Sequence, residues 1–166
     1  MIKKILNSQT YIIYLLPFCF GLLSVLSFQP FNLSFVNFIL LPIIFLLLVY
    51  IKNKSKSVYR KKPYRRNLFT FGCVFGFGFY LGGIHWITYS LTFDESFKFL
   101  IPFALILIPL FLSFFTGLTT LIVGQFLNYN ISSILLFSGS LAISDYVRGK
   151  ILTGFPWNLW GYSWSW

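Results

Sequence analysis

Ser34-FVNFILLPIIFLLLVY-Ile51, followed at once by Lys52-NKSKSVYRKKPYR-Arg66, is the stretch that decides the fold. The first part is an apolar run over 34–51, and an apolar run of about 20 residues, with roughly 17 to 25 tolerated, spans a bilayer as a helix. The second part holds eight of the thirteen basic residues: Lys52, Lys54, Lys56, Arg60, Lys61, Lys62, Arg65 and Arg66. At about 2.5 kcal/mol or more for each Lys or Arg at the bilayer centre, burying all of them in hydrocarbon would cost on the order of 20 kcal/mol. The basic segment 52–66 therefore belongs in water or among headgroups. A greasy run abutting a block of positive charge is the mark of a membrane-crossing helix with a basic loop at its end.

Composition agrees with that local picture. Of the 166 residues 57% are hydrophobic, 22% aromatic and 10% charged, whereas a soluble domain has about a quarter of its residues charged. Too few polar side chains remain to cover a water-facing surface. The net charge of +10 does not indicate nucleic acid, because its carriers flank apolar runs, with Lys3 and Lys4 ahead of the first run. Cys19 and Cys73 both fall inside apolar runs, fit small packing residues, and form no metal or disulfide spacing. The N-terminus is expected to be a retained first helix and not a cleaved leader, because its apolar stretch continues to about Ser27 without a small-x-small site.

Five spans are expected, at about 10–28, 34–51, 67–88, 99–126 and 131–147, giving an all-α polytopic membrane bundle over 1–166. Pro17 is expected to kink the first, and Pro102, Pro109 and Gly117 to tilt or bend the fourth. With the N-terminus cytoplasmic, ten basic residues (Lys3, Lys4 and the eight of 52–66) lie inside and Lys98, Arg148 and Lys150 lie outside. The positive-inside rule selects that orientation and puts 148–166 on the outer face as an aromatic interfacial loop. In the third span Gly72/Gly76 and Gly78/Gly82 each stand four apart, so each pair shares one helix face. Small residues at that spacing let helices approach closely in lipid; a groove for a lipid chain fits the same pattern.

No nucleophile–base arrangement of the usual kinds is legible. His85-Trp86, at the end of the third span, suits an interfacial aromatic pair. Asp145 and Arg148 stand one helical turn apart and can pair, or the arginine fork can hold a phospholipid phosphate. A non-enzymatic polytopic protein, such as part of a transporter or a small membrane subunit, is the competing class. Against it, no span carries mid-membrane polar groups and no inverted repeat is evident.

The most specific stretch is Arg148-Gly149, then Leu152-Thr153-Gly154-Phe155-Pro156-Trp157, then Gly161-Tyr162-Ser163. Here the chain resembles the membrane domain of the apolipoprotein N-acyltransferases of bacterial inner membranes. Leu26-Ser27-Phe28-Gln29-Pro30-Phe31 looks like that family's turn after helix one, and Gly76-Phe77-Gly78-Phe79 through Gly83-Ile84-His85-Trp86 like its glycine-rich third helix. The resemblance implies transfer of an acyl chain from a phospholipid donor to the N-terminal amine of a diacylglyceryl-modified lipoprotein, without a cofactor, metal or nucleic acid. It also implies a Glu-Lys-Cys triad on a nitrilase-like domain outside the membrane. The chain departs from the family there, since it stops at Trp166 and no residue present matches the triad; Glu95, Cys19 and Cys73 do not substitute. The expectation is therefore an N-terminal membrane portion, partial or truncated and inactive alone, that anchors the enzyme and forms a lipid entrance. Arg148, Phe155, Pro156 and Trp157 are the residues expected to line that entrance, and no catalytic residue is expected in this chain.

Overall fold

The computed structural model describes residues 11–56, 63–151 and 157–164. Among them it forms five α-helices: α1 (Leu16–Ser24), α2 (Phe35–Lys56), α3 (Pro63–Ile84), α4 (Ile101–Gly124) and α5 (Ile131–Arg148). The fold is an all-α membrane bundle. Three stretches, Phe35–Lys54, Tyr64–Thr92 and Glu95–Gly124, are long and apolar enough to cross a membrane, and Tyr11–Ser27 is a shorter apolar one. At 1.5 Å per residue, α5 with its 18 residues is about 27 Å long.

Local chemistry explains most helix ends. A π-helical turn, Tyr11–Leu15, precedes α1, and the change of helix type falls where Pro17, lacking an N–H, enters the first turn of α1. After α1 a 3₁₀ turn, Val25–Ser27, leads to a tight reversal in which the amides of Phe31 and Asn32 both donate to the Phe28 carbonyl at 3.0 Å. Asn32 sits there at φ 52°, a left-handed conformation that asparagine tolerates well. Asn130 accepts from the Ser133 amide at 2.9 Å and so caps α5. Asp94 does the same for the 3₁₀ segment Glu95–Leu100, accepting from the Ser96 amide at 2.9 Å.

Three boundaries around α2 and α3 differ from the sequence expectation. The segment taken as a loop over 52–66 is shortened from both sides, because α2 continues to Lys56 and α3 starts at Pro63. Lysine is a good helix former with a long apolar stem, so a positive charge by itself does not stop a helix. Lys52, moreover, is not at the surface: it is 4% exposed, and its ammonium donates to the Leu127 carbonyl and, at 2.8 Å, to Asn128 Oδ1. At the other end of α3 the helix stops at Ile84 and tightens into a 3₁₀ segment, His85–Thr92.

α3 is the hub. Gly72 and Gly76 face α4, where a Cβ built on either would collide with Thr116, Thr120 or Ser113. Gly78 and Gly82 face α1, where Gly78 would meet the Phe18 carbonyl oxygen at 2.4 Å. Across the first seam Thr116 Oγ1 donates to the Gly72 carbonyl and Thr120 Oγ1 to the Leu68 carbonyl, each at 2.9 Å. α2 covers a third side of α3 with Leu40, Ile44, Phe45 and Leu48 against Leu68, Phe71 and Phe75. α5 lies along α4 and meets α2 where the Phe45 and Phe137 rings stand 5.9 Å apart, and a furrow runs between the two helices.

The bundle has two distinct ends. At one, Lys52 meets Leu127 and Asn128, and Arg65 Nη2 donates to Gln125 Oε1 at 3.1 Å. At the other, Ser34 Oγ donates to the Ser163 carbonyl at 2.9 Å and Trp86 packs edge-on against Trp157 at 5.1 Å.

Candidate functional site

The furrow between α2 and α5 is an apolar groove of about 1010 Å³. Its walls are Leu41, Phe45 and Leu46 of α2 and Ile134, Phe137 and Leu141 of α5, and Ser138 and Ala142 also border it. Polar and charged groups gather at one end, where Asp145, Lys150 and the residues Trp160 to Tyr162 complete the lining. From Ile134 to Asp145 the groove follows eleven helical positions, or about 16 Å. That is close to half of the roughly 30 Å hydrocarbon thickness of a bilayer. A greasy slot one leaflet deep with a polar rim matches the shape of an amphiphile.

The rim is built by a returning segment bonded into the bundle. Arg148, 2% exposed despite its charge, points inward from the end of α5. Its Nη1 donates to the Trp157 carbonyl at 2.9 Å and its Nη2 to the Asn158 carbonyl at 3.0 Å. Nη2 also lies 3.3 Å from Asp145 Oδ1, and the guanidinium stacks over the Tyr80 ring at 5.1 Å. Asp145 Oδ2 accepts the Trp160 amide at 2.6 Å. Trp160 thereby lays its ring on Phe79 at 4.9 Å and 8°, beside Phe75 at 6.3 Å and 5°. Asn158, at φ 53°, packs its side-chain amide onto Gly83, in space that any Cβ there would fill.

The residues expected from sequence are distributed as follows. Arg148 is turned into the protein and is 2% exposed; its Nη1 and Nη2 meet two carbonyls and a carboxylate, and its buried Nε has no partner among the described residues. Trp157 is about half exposed and shares an edge-to-face contact with Trp86. Phe155 and Pro156 lie outside the described residues. The four glycines line two separate helix seams rather than the groove. His85 Nδ1 lies 2.7 Å from the Gly82 carbonyl oxygen, which places its proton there, and Trp86 Nε1 donates to the Gly83 carbonyl at 3.1 Å.

Trp160, Asn158, Tyr80 and the α2–α5 walls were not singled out by sequence. The signal that was available is Asp145: a carboxylate three residues before Arg148 has a second oxygen to give, and an unpaired amide must come to it. Cys73 Sγ fills the notch opposite Gly117, a packing role. Among the described residues no group of His, Cys, Asp and Glu could hold a metal.

Comparison with known proteins adds the chain's relatives. The model of the apolipoprotein N-acyltransferase N-terminal domain matches residues 20–166. An apolipoprotein N-acyltransferase of Rhodopseudomonas palustris is 36% identical over 144 residues, which are 86% of this chain and 26% of that protein. One from Bradyrhizobium diazoefficiens is 36% identical over 146 residues, 87% of this chain and 26% of the relative. One from Rickettsia prowazekii is 35% identical over 146 residues, 87% of this chain and 27% of the relative. The chain thus spans about a quarter of the length of the curated relatives it matches.

Proposed function

The chain belongs to the apolipoprotein N-acyltransferase family, and on that premise we propose that it is the membrane portion of such an enzyme, admitting a lipid chain through the α2–α5 groove. The whole enzyme would move an acyl group from a phospholipid to the N-terminal amine of a diacylglyceryl-cysteine lipoprotein. The supporting observation is the groove itself: apolar along one leaflet's depth, polar at its mouth, and open between α2 and α5. A lipid entering sideways would keep its chain among Leu41, Phe45, Phe137 and Leu141 while its ester linkage stays at the level of Trp160 and Tyr162. Each CH₂ buried in such a slot contributes about 0.8 kcal/mol relative to water, but little relative to hydrocarbon. The groove would therefore select by shape and by the rim.

Acyl transfer through a thioester needs a thiolate, and neither Cys19 nor Cys73, both half-buried within helices, is placed to supply one. The chemistry belongs to the remainder of the longer relatives, and this portion alone is expected to be inactive. Its share is to anchor that remainder and to deliver lipid to it. The location is the bacterial inner membrane, with the basic end cytoplasmic and the 148–166 segment periplasmic; the separation of the Lys52 end from the Trp157 end supports that orientation under the positive-inside rule.

The test fills the slot. In the full-length enzyme Ala142→Phe or Ser138→Phe should lower acyl transfer by roughly tenfold or more, as overpacking a fitted site does, at unchanged protein level in the membrane. Wild-type transfer by both variants would refute the groove as the lipid path.

A further inference from the structure

We propose that Asp145 and Arg148 are positioning residues of the groove, fastening the returning segment so that the Trp160 ring forms part of the wall between the groove and the helix core; this rests on the groove being a lipid path. Trp160 lines the large groove and also a small cavity beneath it, bounded by Phe75, Phe137 and Leu141. Leu41, Phe137 and Leu141 border both as well, so the indole is one of four side chains that part the two. Its place is set from both sides: the ring stacks on Phe79 and Phe75, and the backbone amide is held by Asp145. Arg148 secures the two residues on the approach, binding the consecutive carbonyls of Trp157 and Asn158. The planar fork reaches these acceptors from two nitrogens, Nη1 and Nη2, held in fixed geometry; an ammonium has three donors on one nitrogen and does not reproduce that spread. Because the guanidinium is 2% exposed, it acts on a lipid chain through Trp160 and not by touching it. The ligand this geometry shapes is the acyl chain of a diacyl lipid, whose fit depends on how far the indole closes the upper groove.

The experiment uses the full-length enzyme carrying Arg148→Lys, Arg148→Gln or Asp145→Asn, with a diacyl phosphatidylethanolamine of one chain length in mixed micelles as donor. Two quantities are read: amide hydrogen exchange over 157–162, and KM and kcat of acyl transfer. Exchange should quicken and the lipid KM should rise, each by roughly tenfold, the factor that goes with losing one charge-assisted hydrogen bond. kcat should stay within about twofold, because uniform binding is lost and not transition-state binding. Arg148→Lys should do no better than Arg148→Gln. Rescue by lysine would overturn the proposal, since charge alone would then suffice, and so would unchanged exchange. Faster exchange with an unchanged KM would overturn it too while leaving the groove reading standing, which Ala142→Phe tests separately. Should the clamp variants fail to fold, Trp160→Leu keeps the amide and removes the indole's share of that wall. It should raise KM without quickening exchange, and an unchanged KM would again refute the role.

Discussion

Replacing Gly72 by alanine adds one methyl group at the α3–α4 seam, and the consequence can be worked from the geometry. The new Cβ would stand 2.0 Å from Thr120 Oγ1, 2.6 Å from the Thr116 carbonyl oxygen and 3.0 Å from the Gly117 Cα. The threonine hydroxyl can turn away, but the carbonyl and the Cα are backbone, so α4 must retreat by close to an ångström. A radial gap of 0.5–1 Å already forfeits about a quarter to a half of each van der Waals contact along the seam. The retreat also stretches the bonds from Thr116 to Gly72 and from Thr120 to Leu68, each worth about 0.6 kcal/mol in a membrane protein. Together with the 1–3 kcal/mol usual for overpacking, the loss should be about 2–4 kcal/mol. Gly139 provides the matched control, because a Cβ there meets nothing within 4 Å. Gly139→Ala should be neutral or gain up to about 1 kcal/mol from helix propensity. Equilibrium unfolding of the two variants in mixed micelles makes the comparison, and equal stability would refute close packing at Gly72.

Lys52→Met should cost about 1–3 kcal/mol in the same unfolding assay, because the buried Leu127 carbonyl would lose its donor; a fully stable variant would show that water reaches that carbonyl. For sidedness, a cysteine at Phe93, 88% exposed, should react with an impermeant maleimide on right-side-out spheroplasts of a Cys19, Cys73-free protein. One at Tyr129 should be shielded until the membrane is opened, and the reverse pattern would invert the orientation.

The helices were legible because lipid imposes one rule, that backbone groups bond within the segment and side chains stay apolar, and that rule is written along the chain. Where the rule ceases, so did legibility. Lys52 looked like the start of a loop because its charge is local information, whereas its acceptors at Leu127 and Asn128 arrive from the turn between α4 and α5. The glycine pairs were readable as faces, and six positions from Gly72 to Gly78, at 100° each, set the second face about 120° around from the first. Which helix meets each face was not readable, since α1 and α4 are equally apolar. Arg148 invited a headgroup assignment because a sequence shows its fork and not the carbonyls of Trp157 and Asn158 folding back onto it. The groove was out of reach for a similar reason: it arises between α2 and α5, each of which by itself is one more greasy helix.

The most direct test of the lipid path is a photo-reactive residue at Ala142, inside the groove, in the full-length protein in native membranes. Another polypeptide helix is the competing occupant, and cross-link mass spectrometry separates the two. Phospholipid adducts at position 142 are the expected result; adducts to polypeptide and none to lipid would contradict the account.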